Sequence, residues 1–337
     1  MKKIFVTTIA IAFTIPSFAQ CTVETAEKLP YSCVPTNAFK YIGTNGKENK
    51  ENTEVLYNKM VKIYELFDSC FKHNSGMVGK WRAQVDDKSI DGLVKGVIEI
   101  GLQPVTCKDN GEFIKSTGNP TVNIYVYINS FVYNLVKDKR KQPDFILDKD
   151  KVDSLNGQTV YYICKERESQ NFNGFPLYYY NWDSWKHACV IITRDTFPLF
   201  KPISVGNFLG LFKKWTSSYN AGKRLDPRYA VSPGSIDKFT ASCTEKILDT
   251  AMISIGEGKE QVAYLRKTNY TSDVTKGRQW VTLNPQYINK NLPETSIQFL
   301  SIQFEGNTKD ADPLTDKMIK DFRANFDFKK LQAMLEK

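Results

Sequence analysis

The run TVNIYVYINS, residues 121–130, constrains the fold more than any other stretch of this chain. Val122, Ile124, Val126 and Ile128 alternate with Asn123, Tyr125 and Tyr127, and a period of two over that length belongs to a strand with one face on a core. Antiparallel strands are the arrangement that suits such a pattern. Residues 77–87 and 93–107 read as companion strands, with a turn at Asp109, Asn110 and Gly111, residue types that tolerate turn geometry.

A helical period holds at residues 51–73, where Leu56, Met60, Ile63, Phe67 and Cys70 recur among Lys and Glu. After the highly charged stretch KDKRKQPDFILDKDK at 137–151, strand signals resume at 158–165, 175–182, 185–193 and 197–203, separated by Asn173-Gly174, Asp183-Ser184 and Arg194-Asp195. Together they read as a meander. It runs into a helix capped by Ser204, with Val205, Phe208, Leu209, Phe212 and Trp215 on one face. Gly206 and Gly210 weaken that helix by roughly 1 kcal/mol each relative to alanine, and close packing is the expected compensation. A helix at 235–255 stopped by Gly256 follows, then strands at 278–288 and 296–304. A terminal helix enters through Asp312 and Pro313, carries Leu314, Met318, Phe322, Phe326, Leu331 and Leu335, and breaks at Asp327. The expectation is an α+β protein: antiparallel sheet covered by helices, with a β-meander running into a helix in the middle of the chain. The charged stretch divides units at 20–140 and 141–337, or lies within one continuous domain.

The first nineteen residues read as a secretory signal peptide. Lys2 and Lys3 precede an uncharged apolar stretch, and Ser17 and Ala19 supply small residues before a cleavage that leaves Gln20 first. Gln20 also stands where a lipoprotein signal places a small residue before its lipid-bearing cysteine, which argues against lipid on Cys21. The apolar stretch is short for a membrane span and no later segment approaches that length, so a soluble periplasmic or secreted protein is expected. Losing Lys2 and Lys3 takes the formal net charge from +9 to +7. The basic residues are spread out, apart from KDKRK at 137–141, which reads as a solvated turn or helix end, or else as an anion-binding surface. Nucleic acid is not an expected partner.

Seven cysteines in an exported chain permit disulfides, and an odd number leaves at least one thiol unpaired or joined to another molecule. No Cys-x-x-Cys occurs, which removes the zinc-ribbon, thioredoxin and c-type haem patterns. Cys21 with Cys33 and Cys164 with Cys189 are the candidate bridges, and Cys70 on its helical stripe reads as a buried free thiol.

Catalytic patterns are sparse. The only histidines are His73 and His187, in separate elements, so two zinc ligands one helical turn apart do not exist. DKDKVDSLNG from Asp148 lacks the fifth-position ligand and the glycine of a calcium loop. Phosphate-binding glycine loops and the Gly-x-Ser-x-Gly elbow are missing. Ser-x-x-Lys occurs at Ser69 and Ser235, but the accompanying motifs stand in the wrong order or are absent. No metal and no cofactor is expected. The densest chemistry lies in YYYNWDSWKH at 178–187. With Asp183 and Ser184 in a turn, Tyr178, Tyr180 and Trp182 share one side of a strand, with Trp185 and His187 on the next. As a functional surface, Tyr178, Tyr180, Trp182, Asp183, Trp185 and His187 form a platform for a carbohydrate or peptide ligand. The competing reading is aromatic cross-strand packing within a sheet.

The leader ending SFAQ, the segment VIITRDTFPLFKPISVGNFLGLFKKW at 190–215 and the ending FDFKKLQAMLEK at 326–337 together resemble uncharacterised exported proteins of the Bacteroidota. The resemblance implies a hairpin leading into a helix, a closing helix and an exported compartment. It implies no activity. The functional expectation is an exported, non-enzymatic binding protein. The alternatives are an exported hydrolase of cell-wall or dietary polymer using Asp183 and His187, and a structural component of envelope assembly.

Overall fold

The computed structural model describes residues 22–36, 50–88, 92–114, 121–130, 160–164, 168–182, 185–194, 198–220, 232–251, 253–254, 278–305 and 313–336. In chain order the elements are α1 (Val23–Glu27), β1 (Ser32–Pro35), α2 (Lys50–Phe71), β2 (Met77–Lys88), β3 (Val94–Pro104), β4 (Thr106–Cys107), β5 (Phe113–Ile114), β6 (Val122–Ile128) and β7 (Val160–Cys164). These are followed by β8 (Glu168–Phe172), β9 (Phe175–Trp182), β10 (Trp185–Ile192), β11 (Phe200–Pro202), α3 (Val205–Asn220), α4 (Pro233–Ala241) and α5 (Glu245–Asp249). The chain ends with β12 (Ile253–Ser254), β13 (Arg278–Leu283), β14 (Leu300–Glu305), α6 (Pro313–Asn325) and α7 (Phe328–Ala333).

An eight-stranded sheet in the order β1-β2-β3-β6-β14-β10-β9-β8 forms the frame. Every neighbouring pair is antiparallel except β1 with β2, so the α+β expectation holds with one parallel edge strand. Strands on both sides of the charged stretch 137–151 join this one sheet, while that stretch lies outside the described residues. The alternation read in β6 is its burial pattern: Val122, Ile124, Val126 and Ile128 are buried, and the residues between them half-buried. The same face gathers Trp81, Ala83, Ile98, Ile100, Ile302, Phe304, Ala188 and Val190 into one apolar core.

Three helices cover that core: α2, α6 and α7. On α2 the stripe Leu56, Met60, Ile63 and Phe67 is fully buried, as its 3.6-residue spacing requires. Tyr64 on the same helix stacks on Trp81 of β2, ring centroids 3.9 Å apart. Phe322 of α6 is the centre of the aromatic packing, touching Phe67, Phe71, Phe304, Phe326 and Phe328 at centroid distances of 5.1–5.8 Å. The break at Asp327 is real: its carboxylate accepts from the Lys330 amide at 2.8 Å and starts α7.

Asn129 fixes where β14 enters the sheet. It adopts φ 50° just past β6, a conformation asparagine tolerates better than most residues. Its side chain donates to the carbonyls of Val94 (3.1 Å) and Ser296 (2.8 Å) and accepts from the Gln298 amide (2.9 Å).

Some expectations need correction. Of the four strands expected to form a meander, only β9 and β10 pair with each other. β7 and β11 both pair with β13 in a smaller sheet that also holds β12. The third strand of the meander is β8, whose sequence ESQNF carries no apolar alternation. A two-residue turn at Asn173 (φ 51°) and Gly174 (φ 85°) forces its hairpin with β9. The helix expected at 235–255 is two short helices and a strand. Thr244 caps α5 through the Ile247 amide and the Ser242 hydroxyl bonds back to Phe239, local bonds that compete with helix continuation. Finally, on α3 Gly206 has the Leu248 carbonyl about a van der Waals distance from where a Cβ would sit, but nothing approaches Gly210. Close packing therefore compensates only the first of them.

Candidate functional site

The second face of the large sheet collects the other residue of each alternating pair. Register sets Arg82, Glu99, Tyr125, Gln303, Cys189 and Tyr178 in one row across six strands. A neighbouring row runs Gln84, Val97, Tyr127, Ser301 and Ile191. Over β14 and β10 this face is closed, since Ser301, Gln303, Cys189 and Ile191 are buried. Ile191 packs there with Leu199, Tyr287 and Phe299, so the small sheet attaches at that end. Towards β6, β3 and β2 the face opens: Tyr127, Tyr125, Val97, Glu99 and Gln84 are half-buried and Arg82 is exposed.

The open part pairs rings with charges. The Tyr125 and Tyr127 rings lie 6.3 Å apart at 26°, and Arg82 grips Glu99 Oε2 through both Nε and Nη2 at 2.6 Å. Burial, and then the Glu99 charge, raises the Tyr125 hydroxyl above the ordinary phenol range, with Arg82 opposing. Burial, and then Tyr125, raises Tyr127. Both phenols therefore stay protonated as donors at neutral pH. A cation, a carboxylate and two phenols on a broad surface can hydrogen-bond hydroxyls and stack apolar C–H faces.

The described positions singled out from YYYNWDSWKH lie on the same face of the sheet, beyond the closed part over β14 and β10. The backbone register puts Tyr178, Tyr180 and Trp182 at positions of this second face, with Trp185 opposite Trp182 and His187 opposite Tyr180. Across the other edge of β10, His187 stands opposite Glu305. Asp183 and Ser184 lie outside the described residues. Tyr125, Tyr127, Arg82 and Glu99 are not among the residues that the sequence singles out for a site. Their signal was available in the tyrosines that fill the non-core positions of TVNIYVYINS, but only the register connects that strand to β9 and β10.

The cysteines depart from expectation. Cys33 and Cys189 carry free thiols, as do Cys70 and Cys243, so the bridges Cys21–Cys33 and Cys164–Cys189 are not formed. Cys189 is fully buried inside the large sheet, where burial raises its thiol, whereas Cys164 is on β7 of the small one. Cys33 is half-buried between Tyr31 and Tyr64, and burial raises it too. Cys70 is only half-buried, with burial, and then Asp321, pushing it up to about 11.

The Ser-x-x-Lys pairs are helix-local. Ser69 Oγ donates to the Leu66 carbonyl at 2.8 Å and Ser235 Oγ bonds Ser232 Oγ at 2.8 Å. Among the described residues no group of three His, Cys, Asp or Glu gathers as metal ligands, and no helix is long and apolar enough to cross a membrane. No protein-family model matches the chain, and neither a curated protein nor a solved structure does.

Proposed function

We propose that this chain is an exported, non-enzymatic binding protein that holds a carbohydrate on the mixed aromatic and polar face of its large sheet. One observation carries the reading: the register places the positions of Tyr178, Tyr180, Trp182, Trp185 and His187 on the face that also bears the Tyr125–Tyr127 stack and the Arg82–Glu99 pair. Rings stack on the C–H faces of pyranoses, and a guanidinium beside a carboxylate supplies donors and acceptors for vicinal hydroxyls. Export is supported by the leader-like first nineteen residues.

The test is a screen of the purified protein on a glycan array and, in parallel, on a peptide array. Glycan signal in the wild type that disappears in Tyr125→Ala and Trp182→Ala, with melting temperatures retained, supports the reading. Peptide signal alone overturns the choice of ligand, and loss of stability without any lost ligand assigns the rings to packing.

A second reading has its own observation. As an exported hydrolase, the chain would use His187 with Glu305, the acidic residue opposite it in register, as acid and base. Release of reducing ends from cell-wall or plant polymer by the wild type, and its loss in His187→Ala and Glu305→Gln, would replace the binding reading with this one.

A further inference from the structure

We infer that a cavity between α1, the end of β3 and the start of α6 binds a small amphiphilic amine, an apolar chain carrying a protonated amino group. The cavity measures about 540 Å³, and Val23 and Ala26 of α1, Pro104 and Val105 at the end of β3, and Pro313 and Leu314 of α6 give it a largely apolar wall. That volume falls in the range of about 300–1,000 Å³ usual for small-molecule sites. The site is separate from the proposed glycan surface and does not rest on that reading. Gln103, in its wall, stands four residues beyond Glu99 on β3, roughly 13 Å along the strand.

One charged side chain, Glu27, joins the wall, and the backbone fixes it there. The Gly76 amide donates to the Leu29 carbonyl at 2.6 Å, and a Cβ on Gly76, at φ 76°, would stand 2.9 Å from Glu27 Cα. Glycine permits both the conformation and the approach. Ala26, packed with Val78 and Val105, holds the other side of α1 against the sheet.

The remaining polar groups of the wall are already engaged. Thr121 Oγ1 donates to the Leu102 carbonyl at 3.3 Å and lies 3.2 Å from Thr315 Oγ1, while Gln103 and Thr106 have partners within the protein. Lysines on or next to the same elements are paired: Lys28 with Glu24, Lys108 with Glu112, Lys317 with Asp321 and Lys320 with Asp316. Glu27 is exposed and has no ion-pair partner among the described residues. With no cation in the lining, a carboxylate or phosphate ligand finds no counter-charge, whereas an ammonium group finds Glu27. Val23, in the same wall, is 72 % exposed, apolar surface that the ligand's chain would take out of water.

The experiment titrates the purified full chain at pH 7 by isothermal calorimetry with three probes of one chain length: n-octylamine, 1-octanol and octanoate. Equal chains hold the apolar contribution constant, so the head group decides the order. A formal net charge of +9 draws octanoate to the surface at large, and a ranking with octylamine first therefore reports a local site. Octylamine should bind about three- to fivefold more tightly than octanol, the effect of one exposed ion pair, with octanoate weakest. Glu27→Gln should remove the advantage of octylamine, and Glu27→Lys should put octanoate first, both with melting temperatures retained because the position is exposed. Three results would each overturn the inference: octylamine that does not bind, octanol or octanoate ranking first in the wild type, or an order that Glu27→Lys leaves unchanged.

Discussion

Glu99 stands directly opposite Tyr125 across β3 and β6, and Arg82, opposite Glu99 on β2, holds its carboxylate at 2.6 Å. Because the Arg82 side chain is 47 % exposed, the pair contributes little to folding. Arg82→Ala and Glu99→Ala should each cost no more than about 1 kcal/mol in urea denaturation, yet abolish glycan-array signal. A loss above about 3 kcal/mol would mean that the pair is structural.

Phe322 tests the core. Its ring lies within 5.8 Å of five other phenylalanine rings, two from α2 and one each from β14, the turn after α6 and α7. Phe322→Ala should destabilise by about 3–5 kcal/mol and Phe322→Leu by clearly less, because cavity volume sets the cost. Equal effects from both would show that the aromatic geometry matters more than the volume.

Two glycines should respond with opposite sign. A Cβ on Gly79 would lie 2.4 Å from both the Gly101 carbonyl oxygen and Leu102 Cδ2, so Gly79→Ala should cost on the order of 1–3 kcal/mol or more through backbone displacement. Gly210 sits within α3, with nothing in the way of a Cβ, so Gly210→Ala should gain roughly 0.5–1 kcal/mol. Thermal melts of the two variants read both signs, and a stabilised Gly79→Ala would contradict the register of β2 on β3.

Alkaline pH should unfold the protein from within. Burial raises the phenols of Tyr31, Tyr64, Tyr125 and Tyr127 and the thiols of Cys70 and Cys189. Their folded pKa values lie above the unfolded ones, so the unfolded chain releases protons first as pH rises. These groups' stabilisation is complete below about pH 8, starts to fall near the free thiol value of about 8.5, and falls more steeply near the free phenol value of about 10. Urea midpoints from pH 7 to 10.5 should be level and then drop. A level midpoint throughout would mean that these groups are not buried.

How much of this was legible depended on the range of the signal. The faces of α2 and β6 could be read because burial imposes periods that the side chains of Leu56, Met60, Ile63 and Phe67, or Val122 through Ile128, record directly. The Asp327 break could be read because a capping carboxylate is a local device. Partners could not: alternation says which side of a strand faces the core and nothing about which strand lies beside it, so in sequence β7 and β11 read as neighbours of β9 and β10 although both pair with β13. Composition likewise marked the aromatic hairpin as unusual, but Tyr125 joins it only through Gln303 of β14, nearly 180 residues away in the chain.

That intervening strand has a consequence in time. β14 lies between β6 and β10, so until residues 300–305 dock, the large sheet is two pieces, each with an unpaired edge along its most apolar strand. Pairings of such sequence separation are slow to form, and open edges invite association between chains. Closing the large sheet therefore requires a strand from near the end of the chain, so no shorter stretch of it can pair every strand of that sheet.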